Sequence, residues 1–328
     1  MKKMGKRIIA AAAAAALLTG CAQEKSESEI KKVSVVQIVS HKSLDTIRDS
    51  FADEMKKLGY DENNIELEYK DAGNDTSTLE SILSTCAGDG SNVIVAIATP
   101  TAQSAARYAE DIPIVFAAVS DPIGAGLTSS LESPDKNITG TMDDVQVDQI
   151  LETALTIDPD MKKLGVIYNG SEANSVTNIE KAKEFCEENG IQLQEVTVTS
   201  SNDVQQAVHT LAASCDAIFA PNDNTVASAM SAAAQAAIEE EIPFYVGADS
   251  MVSDGGFLTV GIDYEELGRE TARMVDKVLK GTDVSSIPVK QFKTDLSTYV
   301  NQETLKALGI ELPASVSERE RFVMIGQE

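Results

Sequence analysis

The amino-acid sequence predicts an α/β fold made of two doubly wound parallel-sheet lobes joined by a three-segment hinge. Short β-rich runs alternate with helical patterns, two of these runs pass directly into a helix, and the first half of the alternation recurs in the second. The two strand-to-helix corners are Val93 to Gln103 and Ala217 to Val226. Because the start of a helix exposes free N–H groups, we expect both corners to face one small ligand.

The first half of the chain follows the order β-α-β-α-β-α-β. Its helices are indicated by apolar residues at helical spacing, as at Leu44, Ile47 and Phe51. In chain order we predict strand 33–39, helix 44–58, strand 65–69, a helix around 79–83, strand 93–98, helix 102–109 and strand 114–118. Residues 121–144 are rich in Gly, Ser, Pro and Asp, which predicts a loop and then a crossover between the lobes.

The second half repeats this order after a predicted helix at 147–157. Ser175 to Ile179 repeats the pattern of Ser43 to Ile47, and Ile242 to Ala248 repeats that of Ile112 to Ala118. Such a long period indicates a duplicated α/β unit rather than a solenoid. The expected organisation is a signal peptide at 1–21, a tether at 22–32, a first lobe of 33–142 with 264–284, a second lobe of 143–263 with 285–313, and a polar tail at 314–328.

The N-terminal segment has the composition of a targeting sequence. Basic residues precede the apolar run Ile8 to Leu18, which is too short to span a bilayer as a mature helix. The run ends in Leu18-Thr19-Gly20-Cys21, which resembles the lipobox of bacterial lipoproteins. That resemblance implies cleavage before Cys21, a diacylglycerol on its sulfur and an extracytoplasmic, membrane-anchored protein. The alternative is an ordinary secretory signal in which the cysteine occurs by chance.

Composition excludes several function classes. The formal net charge of −25 repels phosphate backbones, so we expect no nucleic-acid partner. Two histidines cannot form a zinc cluster, and neither a phosphate-binding loop nor a nucleophile motif occurs, so we expect no cofactor, no metal and no enzyme activity. Cys86, Cys186 and Cys215 lack metal-type spacing, and we expect free thiols, with a single disulfide as the alternative.

Polar residues gather at the carboxyl ends of predicted strands, the edge where doubly wound sheets bind ligands. The candidate binding residues are Ser40, His41, Thr99, Pro100, Ser120, Asp121, Asn174, Ser175, Asn222, Asp223, Asn224 and Asp249. The alternative for any one of them is an ordinary helix cap or turn, and Thr99 in particular is placed to cap the next helix.

An amino acid suits these residue types. Its carboxylate fits the hydroxyls and amides near Thr99 or Ser43, and its ammonium fits a carboxylate such as Asp223 or Asp249. Asp223→Ala is then expected to weaken binding with little effect on melting. The chain has no Trp, which argues against the stacking platforms of sugar sites. The aromatic residues available to contact a ligand side chain are Phe116, Tyr168 and His41.

Five runs resemble a known family: VSHKSLDTIRDSF, ATPTAQSAA, AAVSDPIGAGL, PNDNTVAS and GIDYEELGRETARMV. They are similar to ABC transporter substrate-binding lipoproteins, more narrowly to the subfamily implicated in uptake of tryptophan and other aromatic amino acids. The resemblance covers residues 33–313. It implies a type I periplasmic-binding fold, a ligand closed between the lobes, and an ABC permease with its ATPase as partners. It also implies binding roles for Ser40, Thr99, Pro100, Ser120, Asp121, Asn174, Asn222, Asp223, Asn224 and Asp249.

Two other functions remain as alternatives. One is a membrane-tethered enzyme that uses carboxylates as acid and base on a small polar metabolite. The other is a sensory ligand-binding protein.

Overall fold

The computed structural model describes residues 30–293 and 296–326. The predicted signal peptide, Cys21 and nearly all of the predicted tether lie outside these residues. Among the described residues, none of the helices combines the length and the apolar composition that a membrane crossing requires.

Two sheets form the framework of the molecule. Their strands are β1 (Lys31–Gln37), β2 (Ile65–Asp71), β3 (Val93–Ile97), β4 (Ile114–Ala117), β5 (Ile138–Thr141), β6 (Lys163–Tyr168), β7 (Gln192–Thr197), β8 (Ala217–Ala220), β9 (Phe244–Val246), β10 (Leu258–Gly261), β11 (Ser297–Asn301) and β12 (Phe322–Ile325). The first sheet has the order β2-β1-β3-β4-β5 and the second has the order β12-β11-β10-β9-β8-β6-β7. Pairing is parallel throughout except between β10 and β11.

Helices connect and cover these strands. They are α1 (Lys42–Lys57), α2 (Thr76–Gly88), α3 (Thr99–Ala105), α4 (Val147–Ile157), α5 (Ala173–Asn189), α6 (Val204–Ala212), α7 (Asn224–Ala227), α8 (Met230–Glu239), α9 (Asp249–Ser253), α10 (Tyr264–Leu279), α11 (Gln302–Ala307) and α12 (Ala314–Ser317). Strands β2-β1-β3-β4-β5 and β7-β6-β8-β9-β10 follow the same winding order, so the predicted duplicated, doubly wound α/β architecture is confirmed.

The chain crosses between the lobes after β5, after β10 and after Lys290. Helix α10 returns to the first lobe and packs on α1 so closely that a Cβ at Gly268 would lie 2.5 Å from the Ile47 carbonyl oxygen. The main chain of Lys290 donates to Gly140 O at 2.9 Å, and the Thr139 hydroxyl donates to Ile287 O at 2.7 Å. Residues 285–290 therefore lie along the first sheet, although the sequence assigned them to the second lobe.

Two segments differ from the sequence-based expectation. Strand β5 lies inside 121–144, which was predicted to be loop and crossover, because a four-residue strand carries too few apolar positions to show a period. At Gly140 this strand passes so near Phe116 that a Cβ would lie 2.1 Å from the Phe116 carbonyl oxygen. The predicted polar tail 314–328 instead contains α12, in which Val316 is fully buried, and β12, which extends the second sheet.

Candidate functional site

A cavity lies between the two sheets, where the winding direction of each reverses, and its empty space is about 320 Å³ when the solvent at its open mouth is included. These reversal points are β1/β3 in the first lobe and β6/β8 in the second, the positions where doubly wound folds bind ligands. The lining residues are His41, Ser43, Leu44, Ala98, Thr99, Ala118, Asp143, Asn174, Asn222, Asn224, Ala227, Met251 and Tyr264.

The structure brings five of the predicted residues together around this cavity. They are His41, Thr99, Asn174, Asn222 and Asn224. Thr99 is the first residue of α3 and does not cap it, because the preceding residue Ala98 occupies the cap position without a side-chain bond. The Oγ1 atom of Thr99 and the Oδ1 atom of Asn174 are buried and have no partner in the described residues. Unpartnered polar atoms in a cavity wall are available to a ligand.

The other predicted residues do not line the cavity. They are Ser40, Pro100, Ser120, Asp121, Ser175, Asp223 and Asp249. Ser40 is exposed and donates to Asp45, and the Asp121 carboxylate accepts the Gly124 N–H within a turn. Asp249 is half-buried and accepts from the N–H of Ser250 beside it; burial raises its pKa to about 7.

Two of the three aromatic candidates also lie away from the cavity. Phe116 is fully buried in the core, and the Tyr168 hydroxyl donates to Glu195 at 2.9 Å. His41 does line the cavity, and burial lowers its pKa so that the neutral imidazole is favoured.

Asp143 is a cavity-lining residue that the sequence did not reveal. It is buried in the crossing after β5 and accepts hydrogen bonds from Ser120 Oγ at 2.9 Å, Asn222 Nδ2 at 2.6 Å and Tyr264 OH at 3.1 Å. Burial raises its pKa to about 6 despite these donors. Asp143 and Tyr264 follow β5 and β10, the matching last strands of the two duplicated units, and this symmetry was the signal that could have identified them.

A second buried carboxylate, Glu172, lies behind the wall formed by the second lobe. It accepts from the Asn224 side chain at 2.5 Å, from the Asn224 and Thr225 main-chain N–H groups at 3.2 and 3.3 Å, and from Asn174 Nδ2 at 3.4 Å. Burial and the nearby carboxylate of Asp223 raise its pKa well above the usual range.

Asp223 has a different role from the one that its position suggested. Its carboxylate is fully buried and accepts from Asn169 N at 2.7 Å, Ser175 Oγ at 2.6 Å and Val226 N at 2.9 Å. It therefore caps α7 and joins the ends of β6 and β8. The structure replaces the expectation that Asp223→Ala leaves melting nearly unchanged with the opposite one, because the substitution leaves these buried donors without an acceptor.

We expect Asp223→Ala to lower the free energy of unfolding by about 2 to 4 kcal/mol, because it removes three buried hydrogen bonds, one of which caps α7. Denaturant unfolding of the ligand-free protein measures this loss. Asp75→Ala is a matched control, since Asp75 caps α2 from an exposed position through a bond to Thr78 N. Equal losses for the two variants would contradict a structural role for Asp223 beyond ordinary capping.

The buried acidic groups in and behind the cavity wall have no basic residue to balance them among those that the structure describes. Within the described residues, no Lys or Arg forms an ion pair with Asp143, Glu172 or Asp223, and neither residue type lines the cavity. No metal-binding group of His, Cys, Asp and Glu is found in this part of the chain either. Buried carboxylates without a cation are costly, so the arrangement favours a ligand that carries positive charge.

Backbone strain and direct contacts between the lobes also mark the cavity. Ala98 and Ala118, which follow β3 and β4, have φ of +77° and +56°, in a region that non-glycine residues rarely adopt. His41 Nε2 donates to Asn224 Oδ1 at 3.1 Å across the cavity, and the hydroxyls of Ser43 and Ser250 contact each other. These bonds join residues from different lobes, so the lobes are closed on one another in this structure.

The cysteines take no part in this site. Cys86 and Cys186 are buried and Cys215 is partly buried, and all three are free thiols, as expected.

Comparison with known proteins identifies relatives over nearly the whole chain. Residues 32–323 match the family model described as ABC transporter substrate binding protein. A tyrosine-binding protein of Clostridioides difficile (strain R20291) is 36% identical over 322 residues, which cover 94% of this chain and 93% of the relative.

Solved structures are similar as well. The ABC domain from Streptococcus pneumonia in complex with L-Trp is 33% identical with a TM-score of 0.85, and the match covers 90% of this chain and 100% of that one. A ligand-free, open structure of a substrate binding protein with adhesive properties from Clostridium difficile is 39% identical with a TM-score of 0.68, covering 91% and 100%. The described conformation is thus more similar to the L-Trp complex, although the open structure is closer in sequence.

Proposed function

The chain belongs to the family of ABC transporter substrate-binding proteins, and we propose that it binds a free aromatic α-amino acid between its lobes and delivers it to an ABC importer. The proposed contacts are made by the cavity-lining residues His41, Ser43, Thr99, Asp143 and Asn174. No covalent step is required, because binding and release are the whole activity.

The uncompensated carboxylates are the observation that carries this proposal. Asp143 faces the cavity with three neutral donors and no cation, so the ammonium of an amino acid supplies the charge that the site lacks. An ionised carboxylate has about four lone-pair positions, which leaves one for the ligand. The unpartnered hydroxyl of Thr99 is a neutral donor for the carboxylate of the ligand.

The remaining wall has apolar residues, which suit an aromatic side chain. Leu44, Ala227 and Met251 provide apolar surface, and methionine adapts its shape to flat rings. His41 and Ser43 add polar atoms in the same wall, which suit a ring with a hydroxyl or N–H group. The names of the tyrosine-binding relative and of the L-Trp complex support this ligand class.

Hinge closure is the proposed mechanism of ligand capture. The bonds from His41 to Asn224 and from Ser43 to Ser250 form only when the lobes are together. A ligand that contacts both lobes favours this closed state by its differential affinity, and we propose that the permease recognises the closed state. The higher similarity to the L-Trp complex than to the open structure supports this view.

Substrate-binding proteins of ABC transporters are extracytoplasmic. We propose in addition that this chain is a lipoprotein anchored through Cys21, on the basis of the lipobox-like sequence that precedes it. Two or more acyl chains hold a protein stably at a membrane. The proposed partners are an ABC permease and its ATPase.

Thermal melting of the protein with a panel of amino acids, sugars and nucleosides tests the proposal. A ligand present at one hundred times its dissociation constant adds about 2.7 kcal/mol of stability, which corresponds to a rise in Tm of roughly 5 °C for a chain of this size. We expect this rise for L-tyrosine, L-tryptophan or L-phenylalanine and not for their N-acetyl derivatives. The absence of a rise with every amino acid would contradict the proposal.

A further inference from the structure

Glu172 holds two residues of the cavity wall by the same kind of contact. The side-chain Nδ2 of Asn224 donates to Glu172 at 2.5 Å, and the Nδ2 of Asn174 donates to Glu172 at 3.4 Å and to the carbonyl oxygen of Asn222 at 3.2 Å. Glu172 itself does not line the cavity and is 5% exposed. Both asparagines do line it.

These contacts determine the orientation of both amide groups. Both amides bond the same oxygen of Glu172, Oε2, which accepts from them whether or not the carboxyl carries a proton on its other oxygen, so each amide turns its NH2 group toward Glu172 and its oxygen away from it. The oxygen of Asn224 then meets His41 Nε2 at 3.1 Å across the cavity. The oxygen of Asn174 is buried and has no partner in the described residues.

The cavity wall therefore presents two amide oxygens, and both are strengthened as acceptors. An amide whose NH2 donates to a carboxyl oxygen is polarised, which increases the negative charge on its own oxygen. An amide oxygen accepts two hydrogen bonds, so Asn224 can bond a ligand while it keeps His41. An ammonium group is a three-donor partner that fits several such acceptors at once.

We propose that Glu172 is a positioning residue that fixes the oxygens of Asn174 and Asn224 toward the ligand, and that these oxygens recognise its ammonium group together with Asp143. This inference rests on the proposed amino-acid ligand. It extends the proposed recognition of the ammonium group from Asp143 to the amide oxygens of Asn174 and Asn224. Glu172 acts through the two asparagines and does not touch the ligand.

Calorimetric titration with L-tyrosine and with 3-(4-hydroxyphenyl)propanoate, which lacks the ammonium, tests the inference. The Glu172→Gln variant has an amide that can accept or donate, so the asparagine amides are free to reverse. We expect it to lose about tenfold in affinity for tyrosine and little for the deaminated analogue. The preference for tyrosine is the ratio of its affinity to that of the deaminated analogue. Asn174→Ala, which removes one amide oxygen without changing any charge, should reduce this preference by a similar factor.

A double-mutant cycle separates positioning from a simple charge effect. If Glu172 acts through Asn174, the fold-loss in tyrosine affinity of the double variant is smaller than the product of the two single fold-losses. The second substitution then removes an acceptor that the first has already misplaced. Glu54→Gln is a matched control, since Glu54 is also buried but pairs with Arg273 in the first lobe. The preference of this variant for tyrosine should be unchanged.

Three results would overturn the inference. One is an unchanged preference in both single variants, the second is an equal loss for both ligands, and the third is strict multiplication of the losses in the double variant. If Glu172→Gln does not fold, an unchanged preference for tyrosine in Asn174→Ala is sufficient to overturn the inference. A wild-type protein that binds neither tyrosine nor tryptophan nor phenylalanine contradicts the proposed function itself, and is distinguished by the absence of any titration signal.

Discussion

Replacing Asp143 with Asn should weaken binding of the amino acid by roughly 30-fold or more, because a buried charge pair that loses one partner costs about 2 to 5 kcal/mol. The same substitution should stabilise the ligand-free protein. Asp143 is buried without a cation, and Asn keeps its shape while removing the charge. Opposite effects on affinity and stability distinguish a ligand-binding carboxylate from a structural one, and calorimetric titration and denaturant unfolding measure them.

The pH dependence of stability gives a second measurement on the same variant. Burial raises the pKa of Asp143 from its ordinary value of 3.8 to about 6, so the folded state holds the proton more tightly than the unfolded state does. The free energy of unfolding should therefore fall as the pH rises from about 4 to about 6, by up to about 3 kcal/mol from this group. Asp143→Asn should remove that part of the decline.

Asp276→Asn is the matched control. Asp276 also accepts from a tyrosine hydroxyl, that of Tyr60 at 3.0 Å, but it pairs with Lys280 on the same helix in the first lobe. Its substitution should leave affinity unchanged and should not stabilise the protein. If Asp143→Asn binds the amino acid as tightly as the wild type does, Asp143 does not receive the ammonium group.

The part of the site that the sequence predicted follows from the regularity of the fold. A buried strand that runs straight into a helix is visible as a pattern, and the end of such a strand in a doubly wound sheet is a binding position. His41, Thr99, Asn174, Asn222 and Asn224 were predicted to be ligand-binding on this basis, and all five line the cavity.

The part that the sequence could not predict depends on direction and distance. Asp223 and Asn224 are adjacent at the end of one strand, yet the carboxylate turns inward to cap α7 while the amide reaches the cavity. A linear pattern does not record which way a side chain turns. Asp143 was missed because it follows a four-residue strand with no period, and Glu172 because a glutamate in a polar loop is normally solvated.

Closure of the lobes leads to the last prediction. Ser43 lies in the first turn of α1 in the first lobe, and Ser250 lies in α9 in the second lobe, with their hydroxyls in contact. Because the two hydroxyl oxygens are in contact, we expect cysteines at these positions to form a disulfide in this closed conformation. If the lobes must separate for a ligand to enter or leave, the oxidised protein should exchange it on the order of 100-fold more slowly than the reduced protein.

The measurement compares one protein in two redox states, so any direct effect of the substitutions on affinity cancels. The Ser43→Cys/Ser250→Cys variant is loaded with isotopically labelled L-tyrosine and then oxidised. Release of the labelled ligand into excess unlabelled tyrosine is measured before and after reduction of the disulfide. Each single cysteine variant controls for pairing with the partly buried Cys215, whereas Cys86 and Cys186 are protected by burial. Equal exchange rates in the oxidised and reduced double variant would mean that ligand passes without separation of α1 from α9, and would contradict hinge closure at this contact.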